Sequence, residues 1–161
     1  MKTLLIPTDF NLTSLNCIPG LVQGYAPEKV NIILVHMMKV TDNISELLML
    51  SRRSSEYRHI SEDFYKACSK LKQQYAGSIN NIRLEFFYGS TVAVFKNFLE
   101  ANEVTAIVML ENYHYRMLNN NSTDPTLLAN RSGYELIYTD CNEFTPANVT
   151  AHQENRLEEL A

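Results

Sequence analysis

MKTLLIPTDF, residues 1–10, opens the chain with an apolar run that stops at a turn carrying a carboxylate. Leu4-Leu5-Ile6 is short and uncharged. Pro7-Thr8-Asp9-Phe10 follows at once, so the stretch reads as a buried strand ended by a turn. A second run of the same kind, IILVHM, occupies residues 32–37. In open parallel α/β sheets ligands bind just outside the carboxyl ends of the strands. Asp9 falls there, and His36 ends the second run.

Working outward, three more runs at residues 82–87, 105–110 and 134–138 are short and rich in β-branched or aromatic residues, and the second run itself spans 30–35. Between them the spacing turns helical. Tyr57, Ile60, Phe64, Cys68, Leu71 and Tyr75 step by three or four, which predicts an amphipathic helix over 55–76 with Gly77 as its C-terminal cap. Val92, Phe95, Phe98 and Leu99 predict a helix over 91–102. Leu15, Ile18, Leu21, Val22 and Tyr25 predict one after the first strand, where Pro19 fits only in a first turn or at a kink. Pro125 begins a short helix over 124–131. A further short helix is expected over 43–52. Strands alternating with helices imply right-handed βαβ units and a five-stranded parallel, doubly wound α/β sheet with helices on both faces. Residues 1–140 carry this pattern. Residues 141–161 are a tail in which Thr145-Pro146 is able to start a helix.

With 161 residues the chain is long enough for one domain with a real core. Its net charge of −4 leaves no electrostatic footprint for nucleic acid or anionic lipid. No apolar run approaches the roughly 20 residues that cross a bilayer, and the N-terminus lacks a secretory signal pattern. Cys17, Cys68 and Cys141 have neither disulfide nor zinc spacing, so reduced thiols and a cytoplasmic location are expected.

These residues resemble the universal stress protein family. LLIPTDF followed by IILVHM is similar to the family's opening. Phe87-Tyr88-Gly89-Ser90 resembles its glycine turn after the third strand. Ala106-Ile107-Val108-Met109 resembles its fourth strand, and residues 122–139 its last helix and strand. The resemblance covers residues 2–139. It implies strand order 3-2-1-4-5, the fold shared with adenine nucleotide alpha hydrolase-like proteins, and a homodimer formed through the last strand, with Tyr134, Leu136 and Tyr138 on one face.

The departure lies where the family's ATP-binding members keep a phosphate loop, Gly-x-x-Gly, about nine residues, then Gly-Ser or Gly-Thr. Those glycines let backbone N–H groups reach phosphate oxygens. Here Leu110 and Tyr113 stand at the first two positions and Ser122-Thr123 at the last pair. Their side chains obstruct a close backbone approach, and Glu111 adds a like charge. A like-charge contact costs on the order of a few kcal/mol at about 4 Å. Each ~1.4 kcal/mol is about tenfold in affinity. Asp124 would occupy the helix start that a phosphate would use. The resemblance is therefore to the family's non-ATP-binding type, and no cofactor is expected. What the resemblance leaves for a nucleoside-like ligand is a residual cleft at Pro7, Asp9, Gly89, Met109 and Thr123.

Each singled-out residue also has a structural reading. Asp9 either meets a ligand or, as a turn carboxylate, caps the helix that follows it. His36 either faces the cleft or is a satisfied core histidine. Tyr113-His114-Tyr115 either covers the cleft or meets a partner. Met37-Met38 and the apolar residues 47–50 are either core or an association patch. Arg52-Arg53 is too small a basic pair for nucleic acid. No nucleophile elbow, zinc-protease helix or supported Cys–His pair is present, so no enzyme activity is expected. The leading expectation is a homodimeric binding or regulatory module of the stress-protein type. The alternative is a small-ligand module that uses the cleft beside Asp9.

Overall fold

The computed structural model describes residues 1–39, 57–118 and 120–140. The expected helix over 43–52, the apolar stretch 47–50, Arg52-Arg53, Cys141 and the 141–161 tail lie outside these residues.

Among the described residues five strands form one sheet: β1 (Lys2–Pro7), β2 (Val30–Met38), β3 (Ile79–Tyr88), β4 (Ala106–Leu110) and β5 (Glu135–Thr139). Their order is β3-β2-β1-β4-β5, and every adjacent pair is parallel. This is the expected 3-2-1-4-5 sheet. Side-chain alternation explains how it is covered. Leu4, Ile6, Ile32 and Leu34 belong to one core cluster, Leu5, Ile33, Val35 and Ile107 to the other, and all eight are shut off from solvent. On the first face the cluster includes Ile18 and Val22 of α1 (Ile18–Gln23) and Phe64, Cys68 and Leu71 of α2 (Glu62–Gln74). On the second it includes Phe95 and Leu99 of α3 (Val92–Ala101) and Leu128 and Ala129 of α4 (Thr126–Arg131). Burial of each such side chain is worth about 1.5–3 kcal/mol, so a sheet lined on both faces is the dominant favourable term.

Three element boundaries differ from the expectation for local reasons. The helix expected over 55–76 begins only after Ser61, whose extended backbone and hydroxyl, accepting from the Phe64 N–H, cap it. Glu62 and Asp63 complement its N-terminus, while residues 57–59 form a separate 3-10 turn whose three-residue period mimics the helical spacing. At the other end α2 stops at Tyr75, and Gly77 does not take the left-handed conformation of a glycine cap; among the described glycines only Gly133 has positive φ. The helix expected after β1 is split into a 3-10 turn, Leu12–Leu15, and α1, with Pro19 in the first turn of α1 as its ring requires. No helix among the described residues is long and apolar enough to cross a membrane.

Candidate functional site at the carboxyl end of the sheet

The strands end at different heights, and this shapes the site. β1 stops at Pro7, paired with Val35, and the Thr8 N–H donates to the Val35 carbonyl at 2.8 Å. β2 runs on through His36, Met37 and Met38, still paired on its outer edge with β3. Its inner edge, vacated by β1, would expose backbone donors and acceptors. Residues 121–123 cross over and fill that edge. The Lys39 N–H donates to the Asn121 carbonyl at 2.8 Å and the Thr123 N–H to the Met37 carbonyl at 2.9 Å, an antiparallel bridge centred on Met38 and Ser122.

Below this bridge the β1 turn is tightly specified. The Thr8 hydroxyl accepts from the Phe10 N–H at 2.9 Å and lies 2.7 Å from the Ser14 hydroxyl, which donates to the Asn11 carbonyl at 2.7 Å. Phe10 is held at φ 60°, a costly backbone region for a bulky residue, on the order of 1 kcal/mol or more. Its ring is anchored at 5.5 Å from Phe64, 5.2 Å from Phe86 and 5.7 Å from His36, which accounts for the tolerated strain.

Asp9 projects from this turn and is only 1% exposed. Its Oδ1 accepts from the Asn11 N–H at 3.1 Å and from the Tyr113 hydroxyl at 2.5 Å; its Oδ2 accepts from the Arg116 N–H at 2.8 Å. The Arg116 guanidinium donates to the Asp9 carbonyl at 3.3 Å. Asp9 thus caps its own turn and not the helix expected after it, because Asn11 caps the 3-10 turn and α1 has no side-chain cap, and it also pins the segment that follows β4. Tyr113 and Tyr115 meet edge to face at 5.1 Å, and both pack with Leu118 against the first core cluster.

His36 is the second anchor. Its ring is 3% exposed, with Nδ1 at 2.8 Å from the Thr8 carbonyl and Nε2 at 2.8 Å from Ser122 Oγ. A carbonyl only accepts, so Nδ1 carries the proton and Nε2 accepts from the Ser122 hydroxyl. Ser122 Oγ in turn accepts from the Leu118 N–H at 2.9 Å. Burial holds the imidazole below its usual range. The Thr8 hydrogen bond and the Asp9 carboxylate act the other way, and His59 and Arg116 reinforce the lowering. His36 is therefore a satisfied histidine that fastens β2 to β1 and, through Ser122, to Leu118.

The expected ligand positions all fall at the carboxyl ends of the strands. Asp9 and Thr123 lie at this end of the sheet. Pro7 is buried as the last residue of β1. Gly89 donates from its N–H to the Met38 carbonyl, and a Cβ there would stand 2.8 Å from the Phe87 ring, so close packing is one reason for glycine here. Met109 belongs to the opposite core cluster with Phe95 and Leu128. The residues do not fit a triphosphate. Leu110 is the last residue of β4 and buried in the first cluster, Glu111 is exposed beside it, and Tyr113 lies on Asp9. Among the described residues no group of His, Cys, Asp and Glu is placed to hold a metal ion.

The links from Asp9 to Tyr113 and Arg116 and from His36 to Ser122 span 104, 107 and 86 residues. No local pattern announces them, which is why Ser122 and Arg116 carry no such role in a reading of the sequence.

The fold is a doubly wound α/β sheet of five parallel strands in the order 3-2-1-4-5 with helices on both faces, the fold that the resemblance implies. Among solved structures the chain is similar to the hypothetical protein MJ0577 (14% identity, TM-score 0.51, 86% of this chain and 95% of that one). It is likewise similar to the hypothetical protein PH0823 (15% identity, TM-score 0.50, 86% and 95%). UspA, a universal stress protein from Lactobacillus plantarum, aligns over 85% of this chain and 96% of its own at 16% identity and TM-score 0.49. At these identities the likeness is one of fold. No family model and no curated protein matches the chain.

Proposed function

We propose that the chain is a universal stress protein-like regulatory or binding module that works without ATP and without catalysis. The observation that carries this reading is the occupied Asp9 carboxylate: Asn11, Tyr113 and Arg116 take both oxygens from within the chain. A ligand reaching Asp9 has to displace the tyrosine hydroxyl and a backbone N–H, and each charge-assisted hydrogen bond lost is worth about 1.5–3 kcal/mol. The side chains of Leu110 and Tyr113 support the same conclusion for the phosphates. A thermal-shift titration with ATP, AMP and adenosine, magnesium present, tests it. No shift with any of the three is expected. A rise with ATP overturns the reading, because a ligand that binds only the folded state raises the melting point by mass action. A rise with adenosine alone favours the alternative, a nucleoside-type ligand in the cleft.

The module is proposed to act in the cytoplasm as a homodimer, with protein partners rather than nucleic acid or membrane. The support is the free edge of β5: among the described residues β5 pairs only with β4, and Tyr138 is 55% exposed. An unpaired strand edge is a natural site for a two-fold contact. Tyr134 and Leu136 also pack against the second core cluster, which fixes the face they share with Tyr138. Leu136→Lys is expected to halve the mass seen by light scattering, and an unchanged mass overturns this interface.

A further inference from the structure

We propose that the outer edge of β3 is a self-pairing surface: two copies of the chain join antiparallel about a two-fold axis at Leu84, and each sets its Arg83 opposite the partner's Glu85. This edge lies across the sheet from β5, and the proposal does not rest on the function assigned to the carboxyl end. A β5 dimer keeps both of its β3 edges, so the two contacts are compatible.

β3 is the longer outer strand, ten residues against five in β5, and among the described residues it pairs only with β2. In a parallel ladder alternate residues turn their backbone groups to the same side. The N–H of Gly89, one residue past the strand, donates to the Met38 carbonyl of β2, so Arg83, Glu85 and Phe87 turn theirs inward. The register is regular over this stretch, its one irregularity lying at Val30 and Asn31. Ile82, Leu84 and Phe86 therefore turn their N–H and C=O groups to the open edge. The Leu84 carbonyl accepts from a side chain there, the Tyr57 hydroxyl at 3.3 Å. A carbonyl oxygen has two lone pairs, so it is still able to take an N–H across an interface.

Sheet edges are ordinarily guarded by proline, bulges or charge. β3 has no proline, and its two charged residues, Arg83 and Glu85, have opposite signs at a spacing of two. Both lie on the second face, in register with Ile33 and Val35 of β2. Arg83 is exposed and donates to a neutral partner, Asn102 Oδ1, at 2.6 Å; Glu85 is half-buried.

An axis normal to the sheet keeps like faces together. Residues turned to the edge must meet one another, so an axis at Leu84 sets Leu84 against its own copy and Ile82 against the partner's Phe86. Arg83 then meets the partner's Glu85. That pair is of the non-hydrogen-bonded kind, in which side chains stand closest. Symmetry repeats it, so one arginine and one glutamate per chain give two opposite-charge contacts. Moving the axis to Arg83 would set arginine against arginine, and moving it to Glu85 would set glutamate against glutamate. Like charges directly opposite are destabilising, so the two charges select one register. On the first face Ile82 and Leu84 are half-buried in the wall of a groove shared with Tyr57, Tyr65 and Cys68, and pairing lays the partner's Leu84 beside them.

Sedimentation equilibrium over a concentration series tests the pairing, with Leu136→Lys as the parent so that the β5 edge is closed. A reversible dimer that weakens as salt rises from about 0.05 to about 0.5 M is expected. A parent that keeps the mass of one chain throughout overturns the proposal, as does a dimer indifferent to salt. Arg83→Glu and Glu85→Arg, each added to the parent, make both contacts repulsive and are expected to weaken association about tenfold or more. An equimolar mixture of these two variants restores opposite charges, and so does the double exchange in one chain. Both are expected to recover association to within about threefold of the parent. Single variants that associate like the parent overturn the register, and so do a mixture and a double exchange that stay monomeric. Thermal melting checks that each variant folds; where one does not, the concentration and salt series on the parent decide. A parent with the same mass as the wild type sinks the β5 contact alone, and the charge variants still decide the β3 edge.

Discussion

Leu5 and Asp9 belong to the same opening stretch and are equally closed to solvent, at 0% and 1% exposure, yet they are held in opposite ways. Leu5 is one of many interchangeable contributors. Its neighbours Ile33, Val35 and Ile107 share one apolar layer, and the energy is a sum of small dispersion and burial terms. Asp9 depends on three directed bonds, two of them from the segment after β4. Burial without direction tolerates slow change and gives cooperativity. Burial by directed bonds gives a position that one altered atom can undo. The sheet is thus a platform, and its carboxyl end is a polar closure laid over it.

The largest effect expected from breaking this contrast is at the platform. Leu5→Ala is expected to destabilise the whole molecule by about 2–5 kcal/mol through lost burial and the cavity left behind. Urea denaturation should show a lower midpoint with an unchanged slope. Amide hydrogen exchange at Arg116 should rise no more than exchange in β1. A loss under about 1 kcal/mol would mean that the layer collapses around the missing methyls, and the platform would be softer than its burial indicates.

Asp9→Ala is expected to cost less overall, about 1–3 kcal/mol, because it leaves the Tyr113 hydroxyl and the Asn11 and Arg116 N–H groups without their acceptor. The effect should be concentrated: protection at Arg116 falls, while protection in β1 and β2 follows only the global change. If Arg116 keeps its protection, the segment 113–118 is held by the packing of Tyr113, Tyr115 and Leu118 rather than by the carboxylate. The difference between the two regions would then narrow.

The same contrast explains what was legible from the sequence. The strands and their two-faced burial are written in runs such as Leu4-Leu5-Ile6 and residues 32–35, because an unbroken short apolar run is a local property that the final fold only has to respect. Strand order came from a resemblance, and the sheet has that order. The closure was only half readable. Asp9 and His36 are conspicuous at strand ends, and Tyr113-His114-Tyr115 is conspicuous as an aromatic cluster in a loop. What joins them is not encoded by spacing: Ser122 is an ordinary serine until β2 outruns β1 and leaves an edge that residues 121–123 fill. Element ends depart from the apolar spacing where one hydroxyl decides the outcome, as at Ser61, whose cap starts α2 several residues later than that spacing alone would place it.

The smallest effect concerns Gly77, where a local rule and the fold part company. Glycine after a helix ordinarily marks a left-handed cap, and alanine there is destabilising. In this chain α2 is closed differently: the Tyr75 N–H donates to Leu71, and the Ser78 and Ile79 N–H groups both donate to the Tyr75 carbonyl at 2.8 Å. Gly77 therefore needs no positive φ, and a Cβ built on it meets nothing within 4 Å. Its flexibility serves only the unfolded chain, so Gly77→Ala is expected to raise stability by about 0.4–1 kcal/mol. Gly133 is the control. It sits at φ +78°, also with open space around its Cβ position, so alanine there meets backbone strain alone, and a loss on the order of 1 kcal/mol is expected. Opposite signs at two uncrowded glycines would show that backbone conformation, and not room for a side chain, separates them. A loss at Gly77 as well would mean that its turn uses a left-handed residue after all, and that α2 ends as the sequence rule has it.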